Sequence, residues 1–298
     1  MESLLKKYKY HLYAIFTVIV WGATFISSKL LIVGGVTPAT LLIYRFSIAY
    51  VGIWFISEKK LMADSLKDEF KLMLAGFFGG TLYFVTENSA LGITQVSNVA
   101  IILATTPLLT AIVARIAGER DRLNRRFVIG SFIALFGVSL AVFNGSVILD
   151  LNPAGDALSF CSALSWSIYM YILKGLSGRY STVFITRKVF FYGVATLLPL
   201  YPVLNMEFSL VPFQDMSLVA HLLFLSVVAS LVCFIMWNRL VKEISPVSAA
   251  SYLYFPPVVS LVAAFIILDE TITFMAICGI ALILFGVYIS SKRGGNAK

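Results

Sequence analysis

Long apolar stretches alternate along the chain with short polar ones, and the apolar stretches share a length that fits a bilayer. An α-helix rises about 1.5 Å per residue, so ~20 apolar residues cross the hydrocarbon core. Stretches of this kind centre near Val20, Ala49, Phe78, Thr105, Leu135, Leu164, Ala195, Val228, Val259 and Leu282. They predict an all-α integral membrane protein of about ten transmembrane helices.

The pattern also repeats. Residues 14–31 read AIFTVIVWGATFISSKLL and residues 156–176 read DALSFCSALSWSIYMYILKGL; Trp21 and Lys29 stand eight apart in the first, Trp166 and Lys174 eight apart in the second. The echo continues in order. TENSALGI (86–93) is answered by MWNRLVKEI (236–244), with Asn88 facing Asn238; Val96-Ser97 by Val247-Ser248, Pro107 by Pro257 and Glu119 by Glu270. GSFIALFGV (130–138) is answered by GIALILFGV (279–287), and all these offsets lie near 145 to 151 residues. The chain therefore reads as two copies of one unit, residues 1–148 and 149–298.

Charge sets the expected orientation. With the N-terminus in the cytoplasm, the inside segments hold Lys6, Lys7 and Lys9, then Lys59, Lys60, Lys67 and Lys71, then Arg115, Arg120, Arg122, Arg125 and Arg126. They also hold Lys174, Arg179, Arg187 and Lys188, then Arg239 and Lys242, and finally Lys292, Arg293 and Lys298. Lys29 and Arg45 alone fall elsewhere, and the loops expected outside contain no basic residue. This separation follows the positive-inside rule, places both termini in the cytoplasm and makes the cytoplasmic membrane the expected location. Five helices per copy is an odd number, so the second copy enters the membrane from the opposite side. Inverted repeats are the build of many secondary transporters, because exchange of conformation between halves opens one central site to each side in turn.

Composition sharpens the class. Hydrophobic residues make up 59% of the chain and charged residues 13%, with a mean hydropathy of +0.91, against about 25% charged residues in a soluble domain. The net charge of +8 lies on one side of the membrane rather than on a nucleic-acid-binding face. The basic start leads into the first span without a small-residue cleavage site, so that span is expected to stay. Cys161, Cys233 and Cys278 fall inside spans as small apolar fillers. His11 and His221 are expected at opposite faces, and no phosphate loop, metal motif or cofactor motif is present, which disfavours enzyme chemistry. Transport is then driven by a gradient or by exchange.

Two five-helix halves, a Trp-Gly pair in the first helix, Pro followed by Glu at 107/119 and 257/270, and Gly-x6-Gly in the last helix of each half resemble the EamA type of the drug/metabolite transporter superfamily. The resemblance covers nearly the whole chain. It implies a ten-helix bundle with a central cavity lined by helices one, three, four, six, eight and nine, moving metabolites by alternating access. The spacing from Pro to Glu differs by one residue between the copies, which leaves pairings within the cavity open by about a turn.

Within the spans, Trp21, Thr24 and Ser28 make a polar-aromatic stripe on helix one, and Ser162, Trp166 and Tyr169 a matching one on helix six. Interfacial aromatic belts are the alternative for the tryptophans, but both are mid-span. Tyr83 and Glu87 share a face of helix three. Glu87 is the carboxylate placed clearly inside a span; it is available to carry a proton, to bind a substrate amine, or to neutralise Arg45 or Lys29 at similar depth. Asn98, Trp237, Asn238, Tyr252 and Phe255 complete a candidate lining, each alternatively a packing residue. Such a lining suits a small amphipathic organic solute and suits a phosphate poorly. Pro107 and Pro257 are candidate hinges, Glu119 and Glu270 structural helix-end residues. The glycines of helices five and ten are candidate packing surfaces within one chain or in a homodimer.

The leading expectation is an exporter of amino acids or related metabolites. An importer or a nucleotide-sugar-type exchanger of the same fold is the alternative, and a membrane receptor or enzyme would leave the duplication without a reason. Topology is the first check: reporter fusions at Asn205 and Lys298 give opposite signals, and the same signal at both refutes the ten-span reading.

Overall fold

The computed structural model describes residues 2–118, 125–143, 152–204, 206–259, 261–262 and 273–291, and of residues 2–7, 97 and 291 the backbone only. Glu119, Glu270 and the boundary drawn between the copies lie outside the described residues. The described chain is helical and contains no strand. The helices are α1 (Glu2–Val33), α2 (Pro38–Trp54), α3 (Leu66–Gly76), α4 (Tyr83–Ile93), α5 (Val96–Leu103), α6 (Thr106–Ile116), α7 (Arg125–Phe143), α8 (Pro153–Leu176) and α9 (Thr182–Ala195). They continue with α10 (Met216–Leu223), α11 (Cys233–Ile244), α12 (Pro246–Ala250) and α13 (Phe274–Ser291).

Polar caps start many of these elements. The side chains of Thr37, Ser65, Asn152, Ser181 and Asp215 each accept from a backbone N–H in the first turn, as at Ser65 Oγ from Asp68 N (3.1 Å) and Asp215 Oδ1 from Ser217 N (2.8 Å). Two rods change pitch midway. A π-helical segment, Phe77–Leu82, joins α3 to α4, and another, Phe224–Val232, joins α10 to α11. The repeat offset of Asn88 and Asn238 carries the first segment onto residues 227–232, within the second. Two further rods are interrupted. α5 and α6 are separated at Ala104-Thr105, with Pro107 in the first turn of α6; α12 passes into a 3₁₀ turn, Ser251–Tyr254, and Pro256 and Pro257 open the next helical turn. Each proline thus sits at a helix start, where a missing N–H leaves no gap in the ladder.

Five described rods are long and apolar enough to cross a membrane: Tyr8–Val33, Asn98–Ile116, Arg125–Phe143, Thr182–Leu200 and Met216–Ile244. Phe274–Ser290 is apolar but shorter. α2 is 17 residues long and falls short on length, while α8 and the α3–α4 rod fall below that standard for a physical reason. α8 buries Ser159, Ser162, Ser165 and Ser167, and the α3–α4 rod buries Asp68, Glu69, Glu87 and Asn88, so these faces meet protein instead of lipid. On the outside, Ile15 and Ile19 of α1, Phe132 and Phe136 of α7, and Leu284 and Phe285 of α13 are exposed, an apolar surface suited to acyl chains.

The most extensive packing joins one copy to the other: α7 with α13, α4 and α6 with α8, α2 and α3 with α9, and α1 with α11. The copies interleave. Residues paired by the repeat also meet in space, as with Trp21–Trp166 (ring centroids 5.4 Å) and Phe84–Phe234 (6.2 Å). At the end where α3 and α9 begin, charges tie the copies together. Arg179 Nη1 reaches both oxygens of Asp68 at 2.9 Å, Lys188 pairs with Glu69, and the buried Arg187 holds the carbonyls of Glu58 and Lys60.

Glycine sets the seam between α7 and α13. A Cβ on Gly130 would lie 2.5 Å from the Gly286 carbonyl oxygen, and one on Gly137 2.7 Å from that of Gly279, so α7 and α13 run antiparallel with their backbones in contact. These glycine faces are therefore used inside one chain, where they do not offer a dimer seam. Replacing Gly137 or Gly286 by Leu should cost at least the roughly 1–3 kcal/mol of an overpacked core, because backbone cannot move aside. Gly175→Leu is the control, since a Cβ there meets nothing within 4 Å. Thermal unfolding in detergent should fall for the first two variants and stay near wild type for the third.

Candidate functional site

Where the copies meet, a cavity of about 60 Å³ opens between the rods. α1 contributes Trp21, Thr24 and Phe25, α4 contributes Tyr83, Phe84 and Glu87, and α8 and α11 contribute Trp166 and Phe234. The interrupted rods supply Ala100, Leu103, Ala104 and Thr106 on one side and Leu253, Pro256 and Pro257 on the other, and α2 supplies Arg45. The volume is well below the roughly 300–1,000 Å³ of pockets that bury a drug-sized ligand. A larger solute requires the wall to move.

Local backbone positions these side chains. A Cβ on Gly22 would meet the Pro256 carbonyl oxygen at 2.9 Å, so glycine beside Trp21 lets α1 lie directly on the turn after the 3₁₀ segment. The π segments bind side chains from across the junction. Trp21 Nε1 donates to the carbonyl of Ala229 (3.1 Å) in the second, and Ser165 Oγ to that of Phe78 (2.7 Å) in the first. A widened turn loosens the regular ladder and leaves carbonyls open to outside donors.

Two charges sit in this wall, and both are buried: Arg45 at 3% and Glu87 at 6% exposure. Arg45 Nε donates to Ser230 Oγ (2.5 Å) and the guanidinium lies 4.4 Å from the Phe84 ring centre. Glu87 Oε1 accepts from Tyr83 OH (2.8 Å). Their opposite charges attract across the cavity, yet no Arg45 nitrogen is paired with a Glu87 oxygen among the ion pairs of the described residues. Lys29, the other basic residue at similar depth, donates to the Leu91 carbonyl. The indole N–H of Trp166 is buried without a protein acceptor.

Two stretches, residues 8–143 and 153–292, match the model of the EamA-like transporter family. The chain belongs to the EamA-like transporter family. It is 26% identical to an "uncharacterized transporter" of Archaeoglobus fulgidus, over 96% of this chain and 98% of the relative. It is 25% identical to a protein of Streptantibioticus cattleyicolor named "probable terminal-alkyne amino-acid exporter", over 94% of this chain and 92% of the relative. The figure is again 25% for an Escherichia coli protein named "probable amino-acid metabolite efflux pump", over 93% of each. A solved crystal structure aligns over 95% of this chain and 96% of its own with a TM-score of 0.75; its 17% identity speaks for the fold alone. This EamA protein is thus a membrane transporter.

Of the residues singled out in the sequence, the EamA cavity brings together Trp21, Thr24, Tyr83, Glu87, Trp166 and Pro257, with Pro107 next to the lining residue Thr106. The others lie outside its wall. Tyr169 OH donates to Asn238 Oδ1 (2.6 Å), and Asn238 Nδ2 to Thr186 Oγ1 (2.9 Å), a chain running away from the cavity into α9. Ser162 Oγ holds the Tyr83 carbonyl (3.2 Å), Ser28 is buried elsewhere on α1, and Asn98 reaches Thr94 Oγ1 (3.5 Å) near the start of α5. Trp237 packs behind Trp21, with ring centroids 4.9 Å apart. Tyr252 bonds His11, and Phe255 flanks the wall between Leu253 and Pro256; the 3₁₀ turn advances about 120° per residue instead of about 100°, which rotates this face from its α-helical register. His11 and His221 attach to opposite ends of the junction, the latter through Ser27 (3.1 Å).

Sequence reasoning missed Phe25, Phe84, Phe234 and the small residues of α5, and treated Arg45 only as a partner for Glu87. The repeat offset of Asn88 and Asn238 pairs Phe84 with Phe234 and was the available signal; Ala100, Leu103 and Ala104 carry none. The two indoles make a test of the site's construction. Trp21→Phe forfeits a hydrogen bond worth about 0.5–1.5 kcal/mol, whereas Trp166→Phe forfeits none to protein. Thermal unfolding should therefore drop more for Trp21→Phe.

Proposed function

We propose that this EamA protein is a secondary transporter exporting amino acids or related small amphipathic metabolites across the cytoplasmic membrane, by alternating access of two inverted five-helix halves. One observation carries the reading: a cavity walled by aromatic rings, with one guanidinium and one carboxylate, lies where the two sequence copies interleave. Apolar walls with a few convergent polar groups suit a small organic solute. The names of two relatives, an amino-acid exporter and an amino-acid metabolite efflux pump, point to the same class. A nucleotide sugar fits less well, because phosphates call for several Arg or Lys and Arg45 is the basic residue in the described wall.

Transport requires the two ends of the junction to open in turn. One end is tied by Arg179–Asp68 and Lys188–Glu69, the other by Asn152 Nδ2 on the Ile93 carbonyl (2.8 Å) and His221 on Ser27 (3.1 Å). The interruptions beside Pro107 and Pro257 are the hinges about which each set releases, because a broken rod bends at little cost. The distribution of Lys and Arg keeps both termini in the cytoplasm. A proton on Glu87 is the second reading of the driving force, favoured by the place of this carboxylate in the cavity wall.

The test is growth protection: cells expressing the protein are challenged with toxic amino-acid analogues and other metabolites. Protection against amino-acid analogues is expected, together with lower accumulation of the labelled compound. Trp166→Ala should abolish both at unchanged membrane abundance. PH-driven transport retained in a well-inserted Glu87→Gln protein removes the proton role, and protection confined to another solute class replaces the substrate.

A further inference from the structure

We infer that Arg45 and Glu87 divide the recognition of a zwitterion between them, the guanidinium taking an α-carboxylate and the carboxylate an α-ammonium. The inference rests on the transport reading and assigns the substrate groups within that same cavity.

Both side chains are buried, both line the cavity, and they are not paired with each other. A buried charge is costly unless a counter-charge and hydrogen bonds surround it. Here the groups in direct contact with each ion are neutral, Ser230 Oγ and the Phe84 ring for Arg45 and Tyr83 OH for Glu87, and the two ions attract each other only across the gap. A structural ion pair would place the two in contact. A carboxylate kept solely to carry a proton has no need of a guanidinium in the same wall. Opposite charges held in one cavity yet apart make physical sense when a third body bearing both charges enters between them.

The donor arithmetic agrees. Ser230 occupies Nε of Arg45 and leaves its two Nη groups, whose fork matches a carboxylate bidentately. Tyr83 occupies Oε1 of Glu87 and leaves Oε2 to accept from an ammonium. The unpartnered indole N–H of Trp166 adds one donor for an oxygen of the solute. Phe25, Leu103 and Phe234 make most of the remaining wall apolar, and the Thr24 and Thr106 hydroxyls donate to backbone carbonyls, so this wall suits the side chain of an amino acid and holds no second charge. A solute with one of the two charges would satisfy one residue and leave the other buried and unmatched.

The test uses the full-length protein in liposomes and three matched trios, each an amino acid, its decarboxylated amine and its deaminated acid: alanine, ethylamine and propionate; leucine, isopentylamine and 4-methylpentanoate; phenylalanine, phenethylamine and 3-phenylpropanoate. In at least one trio the amino acid should exchange at least tenfold faster than either relative. Glu87→Gln should erase the advantage over the deaminated acid while keeping that over the amine, and Arg45→Gln the reverse, with Glu87→Asp and Arg45→Lys restoring part of each. Equal exchange within every trio, or variants that lower all three solutes alike, overturns the inference while leaving transport intact. If the wild type moves none of them, the transport reading fails. Recognition is then judged from thermal shifts of the detergent-solubilised wild type with the same nine compounds. A shift confined to amino acids supports the zwitterion site, and no such selectivity overturns it.

Discussion

Helices in a bilayer gain little from burying apolar side chains against one another, because lipid tails are as apolar as leucine. What holds this bundle is close backbone approach. α7 and α13 touch at Gly130, Gly137, Gly279 and Gly286, and α1 lies on the Pro256 carbonyl at Gly22. Gly80 lies against Gly193 of α9. Each of these contacts joins one sequence copy to the other. The cavity consequently belongs to neither copy alone, and its shape depends on how closely the seams can draw the copies together.

The same lack of water governs the polar groups. Many hydroxyls are satisfied locally, as with Ser159 on the Gly155 carbonyl (2.8 Å) and Thr110 on that of Thr106 (2.8 Å), and at the π segments the Trp21 indole and the Ser165 hydroxyl find carbonyls across the junction. Charges at the latched end form a network in which Glu69 accepts from Lys188, Tyr192 and the Ala63 N–H. Other buried polar atoms also lack a partner, the Trp237 indole among them, but Arg45, Glu87 and the indole of Trp166 hold their spare polar capacity in one cavity wall.

Periodicity and duplication made a good part of this legible. The Trp-Gly pair, the echo of Trp21 in Trp166, the shared face of Tyr83 and Glu87, and the Gly-x6-Gly stripes were all read from spacing, and the structure brings each pair together. The candidate lining was read less well. Asn238 and Tyr169 lie at promising positions but satisfy each other and Thr186, an economy visible only once α9 is in place. Tyr252 and Phe255 were named as lining residues of helix nine, where the structure has a 3₁₀ turn, Ser251–Tyr254, and Tyr252 bonds His11 instead.

By itself the sequence determined an all-helical membrane protein, its internal duplication, and the helix faces that carry glycine or polar groups, because these follow from composition and local period. Tertiary structure decided which faces meet. It set α7 against α13 within one chain, turned the 3₁₀ and π segments so that Leu253, Pro256 and Phe234 line the cavity, and held Arg45 and Glu87 in one wall without contact. A helical period names a face; it does not say which neighbour covers that face, and short-range packing and hydrogen-bond satisfaction, summed over residues far apart in the chain, make that choice.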